Sequence, residues 1–191
     1  MTSSTTLTTI VAELAAAGGQ IEQEEFTPLC DALLAPKRVF ITGAGRSGFV
    51  ARGFANRLLH LGLAVSFVGE PTTPPVRADD LLVVISGSGR TAGLVAMAEK
   101  AHSAGAAVAT ITTDTAGPIG QLATAYLALP GQTRLGADIQ ATAATSIQPV
   151  GTLFEQLAWL ACDSLIVLLR ERTGQSNDEL IERHANLVAC R

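Results

Sequence analysis

Five short apolar runs rich in β-branched residues, at 38–42 (RVFIT), 64–68 (AVSFV), 81–85 (LLVVI), 107–112 (AVATIT) and 124–129 (TAYLAL), are separated by other patterns along the chain. A strand with one wet face alternates polar and apolar side chains; these runs do not, so both of their faces must be covered. Helical periodicity between them, over 47–62, 91–104 and 117–123, predicts a parallel sheet inside a three-layer α/β/α sandwich. The 69–79 segment, EPTTPPVRADD, is a proline-rich connection. Sheets of this kind take their ligands at the carboxyl ends of the strands.

The flanks add helices. Leu, Ile, Val and Phe recur at helical spacing over 5–17 and 21–34, divided by Gly18-Gly19, which predicts a helical hairpin closed by Pro36. After Pro130 the segment GQTRLGADIQATAATSIQ has no periodicity, and a loop of that length is expected to cover a site. A long helix is predicted from Pro149 to about Arg172, with proline at an early helical position, and a last helix over 176–189. The 191 residues therefore read as a single domain: an N-terminal hairpin (1–35), an α/β core (36–130), an active-site loop (131–147) and C-terminal helices (148–191).

A net charge of -4, with 13 Lys plus Arg and no basic run, argues against nucleic acid as a partner. Cys30, Cys162 and Cys190 lack metal-ligand or framework spacing, so neither zinc nor a disulfide scaffold is expected. No basic residue precedes Lys37, as a signal or transit peptide would require, and the uncharged run 115–133 is broken by Pro118, Gln121 and Pro130. A cytoplasmic protein with no membrane span is the expectation.

Two loops then stand out. Gly43-Ala-Gly-Arg-Ser47-Gly48 follows the first strand and Gly87-Ser-Gly-Arg-Thr91 follows the third, so G-x-G-R-[S/T] occurs twice. Each is a strand, a glycine turn and a helix start, where unbonded N–H groups and the positive helix end favour an anion. Ser86, Ser88 and Thr91 add three hydroxyls, which suits a terminal phosphate monoester; ordinary turn and capping roles are the alternative. The first loop also satisfies G-x-G-x-x-G with Glu70 downstream, which leaves a dinucleotide reading open.

Glu155 lies near the start of the long helix, whose next fourteen residues carry one formal charge, Asp163. A desolvated carboxylate there would have a raised pKa and serve as a base near neutrality; a first-turn glutamate that complements the helix dipole is the other reading. His60 and His102 end amphipathic helices, where a cation is expected for structural reasons, and His184 has no such explanation.

Taken together, VFITGAGRSG (39–48), RLLHLG (57–62), VGEPTTPP (68–75), LLVVISGSGRT (81–91), SIQPVGTLFEQ (146–156) and RHANL (183–187) resemble the sugar isomerase (SIS) domain family. The resemblance implies a five-stranded parallel sheet and reversible conversion of D-arabino-3-hexulose 6-phosphate to fructose 6-phosphate. That step would follow aldol fixation of formaldehyde onto ribulose 5-phosphate by a 3-hexulose-6-phosphate synthase, in the ribulose monophosphate pathway. No metal or nucleotide cofactor is implied. The implied phosphate site is Ser86, Gly87, Ser88, Gly89 and Thr91, with Ser47 nearby. Glu155 falls at the position of the base and His184 at that of a proton-handling residue, often supplied by a neighbouring subunit of a homotetramer. Gly45 and Arg46 are candidates to bind the substrate and its enediolate. Arg90 departs from the family pattern, which commonly has an acidic residue there, and would strengthen phosphate affinity or pair with another side chain. A non-catalytic SIS module that senses a sugar phosphate, and an aldose-ketose isomerase of the same family, are the alternatives within that resemblance.

Overall fold

The strands follow from the five apolar runs: β1 (Arg38–Gly43), β2 (Val65–Phe67), β3 (Asp80–Ile85), β4 (Ala107–Thr112) and β5 (Ala125–Ala128) form one sheet in the order β2-β1-β3-β4-β5, every pair parallel. The computed structural model describes residues 5–133 and 146–185. β1 and β3 are in register from Arg38 opposite Asp80 to Gly43 opposite Ile85. At the start of that pair Arg38 donates two hydrogen bonds to Asp80, at 3.0 and 2.8 Å, and the nearly buried carboxylate also accepts from the Arg77 N–H at 2.7 Å. The charge pair joins the two strands at the end of the sheet opposite the glycine loops.

Period-two alternation divides the strand side chains between two cores. Val39, Ile41, Leu81, Val83, Ile85 and Ile111 face one side, where they meet α3 (Gly45–His60) and α6 (Thr152–Thr173) through Phe54, Leu58, Leu157 and Leu165. Phe40, Leu82, Val84 and Val108 face the other, against Leu94, Ala98 and Ala101 of α4 (Ala92–Ser103) and Ile119 of α5 (Pro118–Leu122). Fully burying each large aliphatic or aromatic side chain contributes about 1.5–3 kcal/mol. The three-layer sandwich expected from the sequence is the observed architecture.

The two N-terminal helical segments form with one change. α1 spans Thr6–Gly18, but the predicted 21–34 helix divides into a 3-10 turn (Gln23–Phe26) and α2 (Thr27–Leu34). Pro28 is the reason, because its ring and missing N–H are tolerated only in a first helical turn. α6 likewise starts at Thr152 rather than at Pro149, since Gly151 adopts φ 95°, a left-handed conformation that no helix contains. α6 is long and apolar enough to cross a bilayer, yet Leu157, Ala158, Ala161, Leu165 and Leu169 lie in the protein core. α7 covers Asn177–Glu182, opened by a Ser176–Glu179 capping box. Most of the expected 131–147 loop and the end of the predicted 176–189 helix lie outside the described residues, as does Cys190.

His60 corrects a sequence expectation. It is not the cation expected at a helix end: the residue is 3% exposed, its Nδ1 has no partner among the described residues, and the His184 ring stacks on it at 3.8 Å. Burial, reinforced by His184 and Arg57, lowers its pKa and holds it neutral; the Arg183 guanidinium binds its backbone carbonyl at 3.0 Å. Unfolding frees His60 to take up a proton below its ordinary value near 6.5, so this contribution to stability is lost as pH falls from there toward the lowered folded value. The melting temperature is expected to drop more between pH 7 and about pH 5.5 for the native protein than for His60→Phe. Parallel pH slopes in the two proteins would remove His60 as the source.

Candidate active site

In the strand order β2-β1-β3-β4-β5, β1 and β3 are the neighbours at which the chain reverses its direction of progress across the sheet, and ligand crevices of such sheets open there. Both G-x-G-R-[S/T] loops emerge at that place, one at the end of β1 and the other at the end of β3. Between them and the start of α6 lies a cavity of ≈ 290 Å³, near the lower end of small-molecule sites. Ser47, Ser86, Gly87, Ser88 and Thr91 form one part of its wall, and Gly151, Phe154 and Glu155 another. Six of the candidate residues therefore come together within one subunit: Ser47, the three residues 86–88, Thr91 and Glu155.

The second loop is held by its backbone. The Gly87 carbonyl accepts from the Thr113 N–H at 2.9 Å and from the hydroxyls of Thr112 at 3.0 Å and Thr113 at 2.9 Å, while the Ser86 N–H is used by the Ile111 carbonyl at 3.0 Å. Thr91 occupies the N-cap of α4, yet its side chain makes no capping hydrogen bond. That distinguishes it from an ordinary cap and leaves its hydroxyl for the cavity it lines. Ser88 Oγ accepts the Arg90 N–H at 3.2 Å, which closes the turn in which Gly89 takes φ 60°. Gly87 has no room for a side chain, since a Cβ there would come within 2.7 Å of the Thr133 methyl and 3.0 Å of the Phe154 ring.

Charge is distributed unevenly around this cradle. Arg90 turns away from the cavity and binds Asp114 through Nε at 3.0 Å and a terminal nitrogen at 2.8 Å. Of the two roles open to Arg90 from the sequence, pairing with another side chain is the one the fold contains. Arg46, in the first turn of α3, donates through Nε to Glu155 Oε2. The Glu155 side chain is only 18% exposed against 64% for Arg46, so the carboxylate sits inward and the guanidinium covers it from the solvent side. Gly151, whose φ of 95° favours glycine, lies beside this carboxylate on the cavity wall.

His184 is not brought to this cavity by its own chain. It stacks on His60 at the last residue of α3, whereas Arg46 is in the first turn, about 21 Å away at 1.5 Å rise per residue. Gly45 and Gly89 lie in the loops but do not line the cavity; Gly45 has φ 57° and open space beside it. Glu70, the acidic residue of the dinucleotide pattern, is engaged by Arg52, whose guanidinium lies 3.9 Å over the Phe67 ring. No cluster of metal-ligating side chains exists among the described residues.

Comparison with known proteins identifies the family. The SIS domain family profile matches residues 32–159. A Mycobacterium gastri protein described as 3-hexulose-6-phosphate isomerase is 41% identical over 177 residues, 92% of this chain and 86% of the relative. A Bacillus subtilis protein with the same description is 38% identical over 178 residues, 93% of this chain and 95% of the relative. A crystal structure from Methanococcus jannaschii, said to infer a 3-hexulose-6-phosphate isomerase function, superposes with a TM-score of 0.78 at 32% identity and covers 95% of this chain and 98% of its own. With its sheet order, its two glycine loops and these relatives, the chain belongs to the SIS domain family.

Proposed function

We propose that the protein is an isomerase that interconverts D-arabino-3-hexulose 6-phosphate and fructose 6-phosphate, without cofactor, in formaldehyde fixation by the ribulose monophosphate route. The observation that carries this reading is the carboxylate of Glu155 on the same small cavity as the hydroxyl-lined loop at the start of α4. The relatives of similar length described as 3-hexulose-6-phosphate isomerase support the choice of substrate. A 3-hexulose-6-phosphate synthase would supply it.

In this reading the phosphate rests on Ser86, Gly87, Ser88, Gly89 and Thr91, with Ser47 beside it and the α4 N-terminus supplying positive potential. Moving the carbonyl from C3 to C2 requires removal of the C2 proton, a cis-enediolate, and return of a proton at C3. Glu155 above both carbons performs the two transfers in turn, and a base so placed contributes roughly 10² to 10⁴ in rate. Arg46, or backbone N–H groups of the first loop, would stabilise the developing oxyanion, where a donor acts only as charge appears. As Glu155 becomes protonated its hold on Arg46 weakens, which frees the guanidinium for the enediolate.

His184 moves the hydroxyl proton between O2 and O3. Because it lies at the far end of α3 in its own subunit, we assign it to the cavity of a neighbouring one, in a cytoplasmic homotetramer. The exposed Trp159, Leu160 and Val167 of α6 give such an assembly apolar surface to bury.

NMR of fructose 6-phosphate in D2O tests the reaction. Appearance of the 3-ketose with deuterium at its C2, and of deuterium at C3 of the remaining fructose 6-phosphate, is expected, and Glu155→Gln is expected to bind the phosphate yet lose at least about 100-fold in kcat. Label at C1 would instead indicate an aldose-ketose isomerase, and binding without exchange a sensor. In the cradle, Ser88→Ala or Thr91→Ala should raise KM by about twofold to 160-fold, the range from a weak neutral to a charge-assisted hydrogen bond. Arg90→Leu should leave KM nearly unchanged and instead lower the melting temperature, because it strands the buried Asp114; a larger KM change than in Thr91→Ala would return Arg90 to the phosphate. Mixed oligomers of Glu155→Gln and His184→Ala subunits should recover activity, and inactivity of verified mixtures would place both residues in one subunit.

A further inference from the structure

The N-terminal hairpin has no place in the reaction so far, yet one of its side chains reaches the segment that carries the base. Glu13 is the only charged residue of α1, whose remaining sequence is apolar, small or hydroxylic. Its carboxylate crosses more than 130 positions of sequence to take three donors from consecutive residues: the Ser146 hydroxyl at 2.6 Å, the Ile147 N–H at 2.8 Å and the Gln148 side-chain amide at 3.0 Å. The Ser146 hydroxyl also accepts the Gln148 N–H at 3.0 Å, which makes the three residues one closed turn around the carboxylate.

From that turn a bonded path runs to the site. The Thr152 N–H binds the Pro149 carbonyl at 3.0 Å, and the Glu155 N–H binds the Gly151 carbonyl at 3.0 Å. Between α1 and the start of α6, in contrast, apolar packing is incomplete: a cavity of ≈ 290 Å³ separates Ala12 and Ala16 from Pro130 and Leu153. The three bonds hold the Glu13 carboxyl below its ordinary pKa, the Ser146 bond most strongly, so it is ionised at working pH and its hydrogen bonds are of the stronger, charge-assisted kind.

We propose that Glu13 is a positioning residue for the isomerase: its carboxylate latches Ser146–Gln148 to α1 and thereby sets where the first turn of α6 presents Glu155 to the cavity. This rests on the reading of Glu155 as the base. The phosphate loop is tied through the Gly87 carbonyl to Thr112 and Thr113 at the end of β4, so releasing the latch shifts the base more than the cradle. Misplacement of a catalytic group by about 1 Å costs on the order of 100-fold.

Steady-state kinetics with fructose 6-phosphate, together with amide hydrogen exchange, test the latch. Glu13→Ala is expected to lower kcat by about 10- to 100-fold with KM changed by less than about threefold, and to speed exchange in the first turn of α6. Glu13→Gln should lie between, because its amide oxygen still accepts the Ile147 N–H while its NH2 meets the Gln148 donor. Ser146→Ala, which leaves α1 unaltered, should reproduce part of the kcat loss even if Glu13→Ala folds poorly. Folded variants with native kcat, or a loss confined to KM or to melting temperature, would overturn the proposal. If the native protein shows no isomerisation the catalytic reading fails instead, and the exchange rates alone decide the latch: native protection in Glu13→Ala and Ser146→Ala overturns it.

Discussion

The site depends on a contact that a single methyl group would prevent. Gly87, at the turn after β3, lies against the Phe154 ring and the Thr133 methyl so closely that a Cβ would stand 3.0 and 2.7 Å from them. Phe154 is 1% exposed and immediately precedes Glu155. The loop after β3 and the Glu155 carboxylate therefore border one cavity, and in the proposed reading the spacing between phosphate and reacting carbons depends on how near α6 comes to the loop. The absence of a side chain at Gly87 lets the Phe154 ring approach the loop directly, which suits a site that must hold its geometry against small displacements.

The charges nearby are arranged so that few remain unengaged. Arg90, the basic residue of the cradle loop, is taken by Asp114, a carboxylate only 8% exposed. Arg46 is taken by Glu155. In the proposed reading, an arriving phosphate dianion would thus meet hydroxyls, N–H groups and a helix end instead of an unpaired guanidinium. Binding would then involve little competition with an ion pair, and the Arg46–Glu155 pair is the one whose rearrangement the proposed proton transfer would drive.

The sheet was legible because its evidence is local. All five strands sit within about a residue or two of the apolar runs, and the two glycine loops fall after β1 and β3 as their spacing requires. The switch in strand order then places both loops together without any further information. What the sequence concealed lies in partners distant along the chain. Glu13 reads as one polar residue on an amphipathic helix, and nothing near it announces Ser146 or Gln148. His60 has the spacing of a helix-end cation, but the chain that covers it comes from the C-terminal segment through His184 and Arg183. The start of α6 was misplaced for a local reason: Pro149 is compatible with a first turn, and the left-handed Gly151 overrides it.

α3 and α6 also meet at a second tight place. A Cβ on Gly53 would come within 2.7 Å of the Trp159 ring, and Trp159 lies one helical turn beyond Glu155 on the same face of α6. It is the only tryptophan in the sequence and is 46% exposed. Indole emission depends on solvent contact, so the protein carries an intrinsic optical probe at the seam where the base-bearing helix rests on the loop-bearing one. Movement of α6 over Gly53 would change the colour and intensity of one identifiable fluorophore, and the helix could be followed in real time with no label attached.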